Sequence, residues 1–214
     1  LLLLMIVVKA NGFELKSGHT IHIACDTTEM EPVVKSALKM LVNDFQAVLS
    51  SDVCIGKEGN IIINKDTTLL DKCKEAFQLK VSDDQLYVTG SDAHGVAYGI
   101  LEISRLIGVS PWEWWADVMP LKRSSFSLAN GYVNLQAPSV EFRGIFINDE
   151  DWGLMPWSSL HYEPWHKPGR IGPKTNARIF ELMLRLRANT YWPAMHECTQ
   201  PFFLTQGNRE VAEQ

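Results

Sequence analysis

Two periods of apolar residues run along the chain. His19 to Cys25 alternates polar and apolar side chains and ends at the turn-forming Asp26-Thr27-Thr28, which predicts a strand. Pro32 stands where a first helical turn tolerates proline. From Val34 the apolar residues Val34, Ala37, Leu38, Leu41, Phe45, Val48 and Leu49 recur three and four apart, predicting a helix with one buried face. Val53 to Ile55 and Ile61 to Ile63 read as short buried strands, Leu69 to Ala76 as a short helix, and Phe77 to Val81 with Gln85 to Thr89 as a hairpin across Ser82-Asp83-Asp84. Ser91 or Asp92 can cap a further helix carrying Val96, Leu101, Ile103, Leu106 and Ile107, which stops at Gly108 with Pro111 beyond. Residues 19–110 are thus one α/β unit.

Residues 111–140 read as a connector, opened by Trp112-Glu113-Trp114-Trp115 and punctuated by Asn130-Gly131 and Pro138-Ser139. Bulky aromatics at such a junction are expected to bury it. From Glu141 the pattern changes. Phe142 to Asn148 predicts a strand, residues 149–173 a long aromatic-rich loop, Thr175 to Ala188 a helix, and Thr190 to Met195 a second strand. Strand, loop, helix, strand is a βαβ unit, whose strands should run parallel. Pro201 to Gln206 is a loop, and Asn208 can cap another helix.

Composition narrows the function. The net charge of −5 comes without a Lys/Arg cluster, so nucleic-acid binding and adhesion to an anionic membrane lack their electrostatic footprint. Cys25, Cys54, Cys73 and Cys198 have no C-x-x-C spacing, which excludes a zinc ribbon or thioredoxin motif. They read as buried free thiols, although spacing alone leaves a bridge such as Cys54 to Cys73 open. The apolar run Leu1 to Val8 is far below the ~20 residues needed to span a bilayer. It fits a buried strand or, preferably, the hydrophobic part of a signal peptide with small residues near Ala10 and Gly12 for cleavage. Gly90 and Gly95 invite a phosphate-loop reading, but Val96 stands where Lys is needed, so a tight turn and close helix packing explain them better.

Tryptophan is unevenly placed: none of the seven precedes Trp112, and Trp152, Trp157, Trp165 and Trp192 follow residue 150. Two of these stand beside the predicted strand ends. The first strand runs into Asn148-Asp149-Glu150-Asp151-Trp152, the second into Trp192-Pro193-Ala194-Met195-His196-Glu197. Adjacent carboxylates repel unless they are solvated, paired or offered to a ligand. Carboxylates beside flat aromatic faces suit a sugar, whose hydroxyls bond the acids while its C–H face stacks on a ring. The alternative is structural: Asp149 and Asp151 cap backbone amides, the tryptophans fill space, and His196 is a hydrogen-bonded structural residue. His161 and His166 lack the companions that a metal site requires, so no metal is assigned.

Three runs, Phe142 to Trp157 (FRGIFINDEDWGLMPW), Ile171 to Ala188 (IGPKTNARIFELMLRLRA) and Asn189 to Cys198 (NTYWPAMHEC), resemble glycoside hydrolase family 115, the xylan α-1,2-glucuronidases. Upstream, Gly90-Ser91-Asp92 with Gly95, Tyr98-Gly99-Ile100, and Gly108 to Pro111 with Trp112 to Asp117 fit that family's amino-terminal domain. The likeness extends from about residue 19 onward.

This resemblance implies an α/β fold: an amino-terminal α/β accessory domain over residues 13–137, connector included, followed over 138–214 by the start of a (β/α)8 barrel, truncated. Residues 1–12 would be a signal-peptide remnant. The implied enzyme removes glucuronic acid or its 4-O-methyl ether from xylan with inversion, is secreted or periplasmic, needs no organic cofactor, and admits a homodimer of the full-length protein. Asp149 and Asp151 would take supporting catalytic roles, with Asn148, Glu150, Trp152, Trp192 and His196 binding substrate. Inversion needs an acid and a base ~6.5–9.5 Å apart, too wide for neighbours at one strand end, so the remaining groups are expected on later strands and the 214-residue chain alone is expected to be inactive. Arg143, Arg170 and Lys174 are cations that could meet a uronate carboxylate, none of them assigned. Two rival readings are a non-catalytic carbohydrate-binding or scaffold module and a related glycosidase for another acidic or N-acetylated sugar.

Overall fold

The computed structural model of the chain describes residues 12–28, 30–147, 152–164, 169–193 and 195–214. The first unit contains β1 (Gly12–Lys16), β2 (Ile21–Ala24), α1 (Pro32–Leu49), β3 (Val53–Gly56), β4 (Ile61–Lys65), β5 (Phe77–Ser82), β6 (Gln85–Gly90), α2 (Ala93–Ile107), β7 (Ser125–Ala129) and β8 (Val133–Gln136). The second contains β9 (Gly144–Phe146), the short α3 (Leu154–Trp157), α4 (Pro173–Arg185), β10 (Thr190–Trp192) and α5 (Asn208–Ala212).

A mixed sheet of order β3-β2-β4-β6-β5-β8 forms the floor of the first unit, parallel from β3 to β6 and antiparallel at β5 and β8. Helices α1 and α2 pack side by side, and α2 lies against β4, β5 and β6. The apolar stripe read from the sequence is what α1 buries: Leu41, Phe45 and Leu49 are inaccessible to solvent, as are Ile100, Ile103 and Ile107 of α2 and Ile23, Ile61, Leu79, Leu86 and Val88 of the sheet. Each such side chain contributes roughly 1.5–3 kcal/mol of transfer free energy.

Local signals account for the ends of the elements. Asp92 caps α2, its carboxylate accepting the Gly95 N–H at 2.8 Å, and Gly108 ends the helix at φ 101°. The hairpin turns at Asp83 and Asp84, both left-handed (φ 52° and 61°), which matches the twist of the strands they join. A Cβ on Gly90 would stand 2.1 Å from the Val96 amide nitrogen, and one on Gly95 would stand 2.2 Å from the Ala76 carbonyl oxygen. Close packing therefore explains both glycines.

Several expectations need correction. The connector holds two strands, β7 pairing with β1 and β8 extending the sheet beside β5. In β8 the polar Asn134 and Gln136 are half-buried while Val133 and Leu135 are exposed, an inversion of the usual alternation. Residues 69–76 form only a 3-10 turn at Leu69–Lys72. Asp66 binds Thr68 at one end of this segment, and Asp92 and Ser91 bind the Glu75 and Ala76 amides at the other. Asn208 is not a cap: Gly207 precedes α5, and the buried Asn208 amide donates instead to the carbonyls of Ile171 (3.0 Å) and Phe202 (3.2 Å). The four cysteines are free thiols, but none is fully buried: Cys54 is exposed, and Cys25, Cys73 and Cys198 are half-buried.

The second unit is a βαβ turn with parallel strands, paired Gly144 to Thr190, Ile145 to Tyr191 and Phe146 to Trp192. A Cβ at position 144 would lie 1.8 Å from the Thr190 carbonyl oxygen, so only glycine lets the strands close there. The unit is fastened to the first by acid–arginine pairs. Arg185 makes a bidentate bridge to Asp44 at 2.8 and 2.9 Å, with side chains 9% and 7% exposed. Arg143 pairs with Glu75 and spends its remaining donors on the carbonyls of Val140, Glu141 and Arg187. Arg187, at φ 57°, reaches Glu102 at 2.6 Å, donates to Gln136 and lies over the Phe77 ring. Glu102 is completely buried and also receives Arg105 and Asn134. Burial pushes its carboxyl upward, but the Arg105 hydrogen bonds and the Arg187 and Arg105 charges outweigh this and hold it below the usual carboxylate range. The inward-turned polar face of β8 follows from this network.

Candidate active site

In parallel α/β architectures, loops after the carboxyl ends of strands carry the chemistry. Here the segments in that position join β9 to α4 and β10 to α5. Tyr191 faces α4: its ring meets Phe180 edge-on at 5.3 Å, and its hydroxyl donates to Asn176 Oδ1 at 3.1 Å. Alternation along the strand turns Phe146 and Trp192 to the opposite face. There they meet edge to face with centroids 5.4 Å apart, 51% and 58% exposed. The carboxyl ends are held together below them by the Ile147 N–H, which donates to the Trp192 carbonyl at 2.9 Å.

Of the residues read from the sequence as a site, Asn148, Asp149, Glu150 and Asp151 lie outside the described residues. The described chain leads into them at Ile147 and leaves them at Trp152, whose side chain is almost fully exposed. Trp192 stands at the end of β10. His196 lies exposed on the following loop, its Nδ1 2.8 Å from Cys198 Sγ. The structure therefore brings the β9 and β10 termini side by side. Trp165 and His166 fall outside the described residues.

Trp114, Trp115, Trp157 and Tyr162 form a structural cluster. Trp157 stacks on Tyr162 (5.1 Å, 8° between planes), Trp114 meets both rings edge-on, Trp115 Nε1 donates to the Arg178 carbonyl at 3.0 Å, and the Arg178 guanidinium lies 4.9 Å from the Trp114 ring. This cluster clamps the loop before α4 to the connector. Trp114 and Trp115 are half-buried in it, whereas Trp112 remains 48% exposed.

Two residues not singled out from the sequence shape the same face. Glu163 is buried, and its carboxylate accepts the amides of Lys174 and Thr175, meeting the positive end of α4. Nothing in a sequence marks an acid ten residues ahead of a helix as its anchor. Cys198 could have been found, since it follows His196 by two positions. Of the cations weighed for a uronate carboxylate, Arg143 is committed to Glu75 and to carbonyls at the amino ends of the strands, away from this face.

Among the described residues no helix is long and apolar enough to cross a membrane. Several solved structures resemble the chain. A family GH115 4-O-methyl-α-glucuronidase with specificity for decorated arabinogalactans is 58% identical over 94% of the chain with a TM-score of 0.89, and the chain spans 28% of its length. A GH20 exo-β-N-acetylglucosaminidase from Vibrio harveyi (17% identity, TM-score 0.53, 85% of this chain and 23% of that one) shares the fold alone. So does the Streptomyces plicatus N-acetyl-β-hexosaminidase (13%, 0.57, 86% and 31%). No curated protein matches. Residues 135–214 match the model of Glycosyl hydrolase family 115, the run that holds β9, α4 and β10 with their carboxyl-end loops, and the chain belongs to that family.

Proposed function

We propose that the protein is a glycoside hydrolase that removes glucuronic acid, or its 4-O-methyl ether, from polysaccharide side chains. The observation that carries this is the 58% identity, across nearly the whole chain, with a 4-O-methyl-α-glucuronidase. In this reading β9 and β10 are the first strands of a (β/α)8 barrel, and their carboxyl ends form one wall of the sugar pocket. Trp192 stacks on the sugar's C–H face, Trp152 extends that apolar surface, and Asn148 and Glu150 bond hydroxyls. Asp149 or Asp151 binds a hydroxyl or orients the attacking water. Reaction is by inversion: one carboxylic acid protonates the leaving oxygen, and a carboxylate ~6.5–9.5 Å away activates water on the opposite face. A full acid–base pair needs more of the barrel than two strands, so the 214-residue chain alone is expected to release no uronic acid. Export, with residues 1–12 as the remnant of a signal peptide, and a homodimer of the full-length enzyme belong to the same reading.

The acceptor backbone is the finer question. The arabinogalactan specificity of the identical-by-58% relative favours decorated arabinogalactan as a substrate beside glucuronoxylan. The test is to incubate the full-length enzyme with both polymers and with a hexosaminide, and to identify the sugar released. Release of 4-O-methylglucuronic or glucuronic acid with inverted anomeric configuration is the expected result. Release of N-acetylhexosamine, or binding without release of any sugar, would overturn it.

A further inference from the structure

His196 Nδ1 and Cys198 Sγ stand 2.8 Å apart, at hydrogen-bonding distance. The turn that joins them is closed by the Thr199 N–H, which donates to the His196 carbonyl at 2.9 Å, and Thr199 itself is buried. Cys198 packs against the buried pair Met155 and Ile171, while the His196 ring is exposed. Next along the chain, the Gln200 N–H bonds the Gly169 carbonyl at 2.8 Å and ties this loop to the one before α4. The sulfur is thus anchored and the ring is held by it.

We propose that Cys198 is a positioning residue that fixes the proton of His196 on Nε2 and turns that N–H toward an oxygen of the bound uronic acid. In the proposed arrangement the thiol donates S–H to Nδ1 of a neutral imidazole, which leaves the ring's own hydrogen on Nε2; the opposite tautomer, with Nδ1–H donated to sulfur, is the state the proposal rules out. If the proton passes from sulfur to ring, both nitrogens carry hydrogen and the pair becomes thiolate and imidazolium. In both of these states Nε2 donates. A uronic acid presents a carboxylate that such a donor can bind, and Arg143 spends its guanidinium at the other ends of the strands. A tautomer fixed in advance spares the free enzyme a choice of ring states, so the effect belongs in substrate affinity.

This inference rests on the reading of His196 as a sugar-binding residue, and its test separates the two. The imidazole 15N resonances of His196 are compared in the protein, Cys198→Ala and Cys198→Ser, and KM and kcat for glucuronoxylan and decorated arabinogalactan are measured for the same variants and His196→Ala. The expected result is an Nε2–H pattern in the protein that becomes a tautomer mixture in Cys198→Ala. KM should rise about three- to tenfold there, the loss of one hydrogen bond, with a smaller change in kcat, and Cys198→Ser should restore both signals. Unchanged 15N resonances in Cys198→Ala, or an unchanged KM where His196→Ala raises it, would overturn the positioning role. An unchanged KM in His196→Ala would instead overturn the substrate role of the histidine.

Discussion

The two ends of β9 and β10 are separated by only three residues, ~10 Å of extended chain, and are built in opposite ways. At the amino ends and the nearby end of α4, Arg143, Arg185 and Arg187 meet Glu75, Asp44 and Glu102 across the interface between the two units. At the carboxyl ends Phe146 and Trp192 stand more than half exposed, and the carboxylate-rich run begins. One end satisfies its charges internally and fixes the frame. The other leaves apolar surface exposed, as a ligand site requires. A stable scaffold with loops free to specialise follows from keeping these tasks at opposite ends.

The comparison breaks first at Asp44. Arg185→Ala leaves a buried carboxylate without its bidentate partner, and chemical denaturation of the chain should show a loss of about 3–5 kcal/mol. Arg187→Ala should cost less, about 1–3 kcal/mol, because Glu102 keeps Arg105 and Asn134.

Acid titrates the same frame. The folded carboxyl of Glu102 lies below its unfolded value of about 4.3, so its stabilising contribution is complete above that pH and disappears as pH falls through the folded value. The melting temperature should therefore drop on acidification below about pH 4, and Glu102→Gln should be less stable at neutral pH and show a flatter acid limb.

Local physics was legible in the sequence, and long-range physics was not. The stripe from Val34 to Leu49, the Asp92 cap, the Gly108 stop and the Asp83-Asp84 turn each depend on neighbours within a few positions, and each appears where the pattern places it. Asp44 and Arg185 lie 141 residues apart, and neither carries a local mark of the other. The strand β8 was hidden for the same reason, since Asn134 and Gln136 turn inward only because Glu102 and Arg187 wait there. At the site, the placement of Trp192 and His196 at and after a strand end was legible in the sequence, and Cys198, two positions beyond His196, carried the same local signal.

The smallest stability change is expected at the open end. Trp192→Ala removes a ring that is 58% exposed and should move stability by about 0.5 kcal/mol or less. That variant also gives the most direct measurement of the central claim: kcat/KM for release of 4-O-methylglucuronic acid by the full-length enzyme, with the melting temperature recorded on the same sample. The account predicts a fall of about three- to tenfold in kcat/KM at an unchanged melting temperature, one lost stacking contact on the sugar. Wild-type kcat/KM in Trp192→Ala would contradict it.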